Sequence, residues 1–216
     1  GFAARKNNIA VTIVVPHGNS REKNAAMRAL GVELIEHGAD FQESREYAGK
    51  LAGERKLHMI PSFHPHLVRG VATYALELLR AVPDLVTVYV PIGQGSGICG
   101  MIAARDALEL KTEIVGVVSA HAPAYKLSFE ARKHLEHAVT TELADGMACR
   151  VPDDAALDVI WRGVGRVLGG TDAEVAAAMR LYFSATQSVA EGAGAAPLYQ
   201  PGIPQGQFHV GERTDP

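Results

Sequence analysis

Val88-Tyr89-Val90-Pro91-Ile92-Gly93-Gln94-Gly95-Ser96-Gly97-Ile98-Cys99-Gly100 passes from a β-branched run, through three glycines in five residues, into an apolar helical pattern. That order of strand, loop and helix is the reading on which the fold turns. Glycines let successive backbone N–H groups converge on an anion without side-chain obstruction, and the start of the following helix adds partial positive charge. A tight strand–helix turn with no ligand is the competing reading. Three glycines in this context favour the anion cradle.

Outward from the loop, strand-like and helix-like segments alternate. On the N-terminal side, residues 11–15 form a β-branched run closed by Pro16, too short for a helix and typical of a buried parallel strand. Asn19-Ser20-Arg21-Glu22 reads as a helix start, with a capping side chain and an acid close behind, and the helix should run to Leu30 with Gly31 as its stop. Strand 32–36, helix 41–55 and a short strand 58–60 ending at Pro61 follow. Leu67, Val71, Ala75 and Leu79 give 67–81 the clearest amphipathic pattern, and Pro83 ends it.

On the other side, 98–108 reads as a helix and 113–118 as a strand. This β-α-β-α order predicts an α/β fold, with parallel sheets covered by helices on both faces. Residues 121–147 have no clean period. Beyond them come a helix at 155–162, a short strand at 165–168, and a capping box at Thr171-Asp172-Ala173-Glu174 opening a helix that should reach Ala190. Residues 197–216 are proline-rich with little periodic apolar content and read as an irregular tail.

The loop also narrows its own ligand. Gly95-Ser96-Gly97-Ile98-Cys99-Gly100 satisfies GxGxxG, but the next strand ends Val117-Val118-Ser119-Ala120, without the acid that would bind a ribose. A dinucleotide is therefore disfavoured, and the lack of a Lys-Ser or Lys-Thr after the glycines excludes a Walker A loop.

Composition sets the outer bounds. The 216 residues carry a formal net charge of −3, so there is no basic field to attract nucleic acid. With 47% hydrophobic residues the chain can fill a real core, yet its apolar stretches are too short to span a membrane. Gly1 opens the chain without a charged-then-apolar leader, and two cysteines, Cys99 and Cys149, make no framework. Both features predict a cytoplasmic setting. His64 with His66, and His134 with His137, lack the companions zinc needs and read as surface or loop histidines. Cys99 reads as a small buried thiol. A triad of His121, Asp145 and Ser184 has no GxSxG to mark a nucleophile.

The extended loop motif resembles the tetraglycine-type phosphate loop of fold-type II pyridoxal-phosphate enzymes, closest to the threonine dehydratase (threonine ammonia-lyase) and serine racemase group. Ile13-Val14-Val15-Pro16, Ala144-Asp145-Gly146 and Glu191-Gly192-Ala193-Gly194-Ala195 agree with that group in order, so the resemblance covers about residues 1–196. It implies that Gly93, Gln94, Gly95, Ser96 and Gly97 hold the phosphate of pyridoxal 5'-phosphate, that Gly146 lies against the cofactor, and that Glu191 lies near the site. Without it, Asp145-Gly146 is an ordinary turn and Glu191 a solvated helix end.

The resemblance further implies residues 1–62 as the remainder of a small α/β domain and 63–196 as the larger cofactor-binding domain. Its departures are as informative. No lysine of the chain sits in the Ser-Phe-Lys-like motif that attaches the cofactor, and the Ser-Gly-Asn-His-like and Ser-Gly-Gly-Asn segments have no counterpart. The carboxylates that hold a metal in some relatives fall at Val118 and Ala124, so no metal is expected. The chain thus resembles an internal portion of the enzyme. The expected reaction is deamination of L-threonine or L-serine to a 2-oxo acid and ammonia, weak or absent in this chain by itself. A racemase or another β-elimination lyase of the same fold is the alternative within the class, and a non-catalytic amino-acid or phosphate-binding module the alternative outside it. The partner is a small amino acid, and the resemblance leaves a homodimer open.

Overall fold

Short β-branched runs separated by capped helices fold into two parallel sheets. The computed structural model describes residues 1–198. In the N-terminal part, α1 (Phe2–Lys6) precedes β1 (Thr12–Val15), which pairs in parallel with β2 (Glu33–Glu36) through Thr12 opposite Glu33 and Val15 opposite Glu36. The crossover is α2 (Arg21–Ala29), and α3 (Phe41–Arg55) follows. Side chains start both helices as the sequence implies: the Ser20 hydroxyl accepts from the Lys23 amide and the Asp40 carboxylate from the Glu43 amide.

The second sheet is larger. After α4 (Pro65–Ala81) come β3 (Thr87–Pro91), α5 (Ser96–Ala107), β4 (Glu113–Ser119), α6 (Ala124–Ala131), α7 (Asp154–Gly163), β5 (Arg166–Gly170), α8 (Asp172–Thr186) and the short α9 (Gly192–Ala195). The strands lie in the order β3-β4-β5, all parallel. Parallel strands need both faces covered, and β4 shows the result. Ile114 and Val118 pack in a core with Leu79, Ile98, Met101, Leu157 and Ile160, whereas Val117 belongs to a second core with Met147, Val175 and Ala193. That alternation is the two-residue period of a strand with helices on either side. Each fully buried Leu or Ile there contributes roughly 1.5–3 kcal/mol. Gly100 brings α5 hard against α4, since a Cβ there would sit 3.0 Å from the Ala72 amide nitrogen.

Several expectations need correction. No strand forms at 58–60, because Ile60 is 72% exposed and no neighbouring strand offers it hydrogen bonds. The capping box at Thr171 is present, but α8 ends at Thr186 rather than Ala190, where Gln187 takes a left-handed conformation that closes the helix. Residues 121–147, aperiodic in sequence, contain α6 and a 3-10 turn at Asp145–Met147. On α4 it is Ala72, Ala75 and Leu79 that are buried, while Leu67 at the helix start stays 38% exposed. The tail expectation for 199–216 lies outside the described residues.

Candidate functional site

The glycine loop leaves the sheet at the carboxyl end of β3, the end at which parallel α/β folds place their ligands. Ile92 makes the last sheet contact, its amide donating to the Val117 carbonyl at 2.8 Å. Beyond it, Gly95 adopts φ +93° and serves as the N-cap of α5 with no side-chain capping bond. Only glycine takes that conformation without strain, and a Cβ would also lie 2.7 Å from the Ala156 Cβ. Among the described residues no acceptor engages the amides of Gly93, Gln94, Gly95, Ser96 or Gly97, and the Ser96 hydroxyl has no partner. Unpaired donors at a helix N-terminus make an anion site.

A buried tyrosine props this loop from beneath. The Tyr125 hydroxyl donates to the Gln94 carbonyl at 3.0 Å and accepts from the Asp153 amide at 3.0 Å. Burial pushes the phenol far above its ordinary pKa, so the donor keeps its proton. Because the peptide unit is planar and trans, a Gln94 carbonyl held toward Tyr125 turns the Gly95 N–H the opposite way. Asp153 in turn caps α7 through the amides of Ala155 and Ala156. Gln94 is also held by its side chain: its Nε2 donates to the Cys149 sulfur at 3.1 Å, while its buried Oε1 has no partner among the described residues. Burial raises the Cys149 thiol to about 12, and its sulfur donates onward to the Val151 carbonyl at 3.3 Å.

Gly146 meets the loop, and Glu191 lies beside Gly146. A Cβ on Gly93 would fall 2.4 Å from the Gly146 carbonyl oxygen, and one on Gly146 would fall 2.8 Å from the Ala193 Cβ and 3.3 Å from Glu191 Oε1. Gly93 and Gly146 are therefore too close for a side chain between them, and Glu191 lies beside Gly146. The Glu191 carboxylate is engaged by Lys23, whose Nζ lies 2.6 Å from Glu191 Oε2 and 3.0 Å from Asp145 Oδ2. The hydrogen bond to Glu191, aided by Asp145, raises the Lys23 pKa despite partial burial, so the ammonium stays charged. Gly97 stands apart. Its carbonyl accepts from the Tyr74 hydroxyl at 3.4 Å, and a Cβ there would meet nothing closer than 4.0 Å.

Of the seven residues picked from the sequence, Gly93, Gln94, Gly95, Ser96 and Gly97 run through the loop, Gly146 lies against Gly93, and Glu191 lies beside Gly146. Sequence reasoning missed Tyr125, Cys149 and Lys23. A tyrosine next to a helix start within an aperiodic stretch carries no spacing signal, and Lys23 lies 168 residues from its partner Glu191. The histidine pairs serve other ends. His64 caps α4 by accepting from the His66 amide, and His134, which is not helical, pairs with Asp154. Among the described residues no three His, Cys, Asp or Glu side chains converge as metal ligands.

The cradle fits the phosphate of a pyridoxal 5'-phosphate. Free amides at the start of α5 match a dianion, and a Cβ at Gly93 or Gly95 would crowd the cradle wall. Comparisons with known proteins agree. The sequence profile described as "Pyridoxal-phosphate dependent enzyme" matches residues 1–208. The chain is 32% identical over 198 residues to an L-threonine ammonia-lyase of Geobacter sulfurreducens, covering 91% of this chain and 49% of that protein. It is 31% identical over 200 residues to the catabolic L-threonine dehydratase TdcB of Staphylococcus aureus, covering 91% and 57%. Among solved structures, a T.th. threonine deaminase superposes with a TM-score of 0.82 at 28% identity, covering 92% of this chain and 66% of that one. Maize serine racemase gives 0.83 at 25%, covering 91% and 60%. The chain spans about half the length of the curated relatives it matches.

Proposed function

The chain belongs to the family of pyridoxal-phosphate-dependent enzymes, and on that premise we propose that it carries the phosphate-binding half of a lyase that deaminates L-threonine or L-serine. The observation behind this reading is the strand–glycine–helix cradle, whose amides stand unpaired at the carboxyl end of β3. In it, Gly93 to Gly97 bind the cofactor phosphate through backbone N–H groups, and the α5 N-terminus adds partial positive charge. Tyr125 fixes the direction of the Gln94–Gly95 peptide. Gly146 gives the cofactor a flat wall with no side chain, and Glu191 stands beside it as a carboxylate paired to Lys23. When bound, the cofactor would supply the electron sink for deprotonation at the substrate's α-carbon and loss of its β-hydroxyl. The chain's own task here is to hold and orient. Residues 1–62 form the remainder of a small domain and 63–196 the larger, cofactor-binding one.

Pyridoxal 5'-phosphate titrated into the purified 216-residue chain should bind saturably and be displaced by inorganic phosphate. Failure of both ligands to bind refutes the reading. Turnover of threonine by this chain should be weak or absent, since none of its lysines occupies the attachment motif. Robust release of 2-oxo acid and ammonia would overturn that expectation. The 25% identity to maize serine racemase supports a second reading, racemisation at the same site. Product analysis with D-serine, L-serine and L-threonine on an active, longer form separates the two.

A further inference from the structure

Residues 1–62 and the rest of the described chain are joined by very few side-chain bridges. Lys23 of α2 reaches Asp145 and Glu191, and Arg150 reaches Asp40 at the start of α3. Among the described residues no helix or strand of the first sheet packs broadly on an element of the second. Both bridges land on the same short stretch, 145–150, one at each end. Between those ends the stretch touches the glycine loop twice. The Gly146 carbonyl abuts Gly93, and the Cys149 sulfur accepts from Gln94 Nε2.

As a stability device the Lys23 bridge counts for little. The Lys23, Asp145 and Glu191 side chains are 46%, 47% and 52% exposed, and ion pairs that open to water add little to stability. Their placement is what distinguishes them. A stretch gripped at both ends by one unit, and pressed at its centre against a loop of the other, passes the position of the first to the shape of the second.

We propose that residues 145–150 act as a strap that transmits the seating of the N-terminal unit to the phosphate cradle, with Lys23 and Arg150 as its positioning residues. The inference rests on the reading of the glycine loop as a cofactor-phosphate site. It adds that the loop is competent only while the N-terminal unit holds the strap. Loss of either cation frees one end. The strap then loosens, so that the Gly146 contact with Gly93 and the Cys149 hold on Gln94 are each made for less of the time, and the loop loses rigidity. Tyr125, anchored from α6 to the Asp153 amide, stays in place, so the rest of the domain keeps its packing.

The test uses the full chain, with Lys23→Met, Arg150→Met, and the conservative Lys23→Arg and Arg150→Lys. Two readouts run in parallel: affinity for pyridoxal 5'-phosphate and inorganic phosphate, and the native-state alkylation rates of Cys149 and Cys99. Cys99 lies in α5 under the loop and touches the Ala156 carbonyl, so it reports opening of the domain core. The methionine variants should lose about fivefold in affinity for both ligands, the lower end of the coupling between linked sites. Cys149 alkylation should rise about fivefold while Cys99 stays protected, the signature of local rather than global opening. The conservative variants should restore both. Unchanged affinity and unchanged Cys149 reactivity would overturn the strap, as would a parallel rise at both cysteines. If the unaltered chain binds neither ligand, the phosphate reading falls and this inference with it, whatever the alkylation shows.

Discussion

Replacing Gly93 with alanine puts the central contact of the site to a direct test. The added Cβ would fall 2.4 Å from the Gly146 carbonyl oxygen, whereas carbon–oxygen contacts of this kind settle near ~3.3–3.6 Å. About 1 Å of separation must therefore open between two backbone segments. Neither yields cheaply. Gly93 follows directly on Ile92, pinned to Val117, and Gly146 is backed by Ala193, leaving no room for even a methyl between them. Overpacking costs about 1–3 kcal/mol, and opposed backbones place this case near the upper end. For a chain of this size, about 3 kcal/mol lowers Tm by roughly 6–12 °C. Gly97→Ala is the control: its Cβ meets nothing within contact distance, and alanine gains up to about 1 kcal/mol of helix propensity in α5. Thermal melts of the two variants should move in opposite directions, or leave Gly97→Ala unmoved. A Gly93→Ala chain that melts within about 2 °C of the parent and binds pyridoxal 5'-phosphate equally well would refute the close packing of Gly93 on Gly146.

Other outcomes follow from single side chains. Tyr125→Phe strands the Gln94 carbonyl and the Asp153 amide, and should cost about 1–3 kcal/mol in chemical denaturation, with weaker phosphate binding alongside. Burial raises the Asp40 carboxyl, but the Arg150 guanidinium and the Glu43 amide outweigh it and hold Asp40 below the usual carboxylate range. The unfolded chain then binds the extra proton first. The stabilisation from Asp40 is therefore whole above its unfolded pKa of about 3.9 and drains away as pH falls through the lower folded value. Denaturation midpoints from pH 5 downward should fall less steeply in Asp40→Asn than in the parent. Burial pushes both Cys99 and Cys149 up to about 12, so neither thiol should react with a disulfide reagent at pH 8 until denaturant unfolds the chain. Fast labelling of the native protein would contradict that environment.

Local patterns carried the succession of strands and helices and the loop because their causes are local. The β-branched run before Pro16, the serine before α2 and the capping box at Thr171 each act within four residues, and each is realised. What failed had two different causes. Residues 58–60 look extended, but a strand needs a partner edge, and none reaches Ile60. The apolar residues after Thr186 suggest a longer α8, yet the left-handed Gln187 ends it. The loop itself was legible as glycines, but not the division of labour among them. Gly95 is required by its backbone angle, Gly93 by the carbonyl of a residue 53 positions on, and Gly97 by neither. Nothing near Tyr125 or Lys23 in the sequence announces a role, since both act on residues brought near only by folding.

The Tyr125 hydroxyl, wedged between the Gln94 carbonyl and the Asp153 amide, has a kinetic consequence. It fixes one peptide dipole of the cradle before any anion arrives, so capture requires no loop-folding step. Arrival should then be governed by diffusion and by the field at the α5 terminus, with an on-rate that varies little among loop variants. Differences in affinity between those variants would appear almost wholly as differences in residence time.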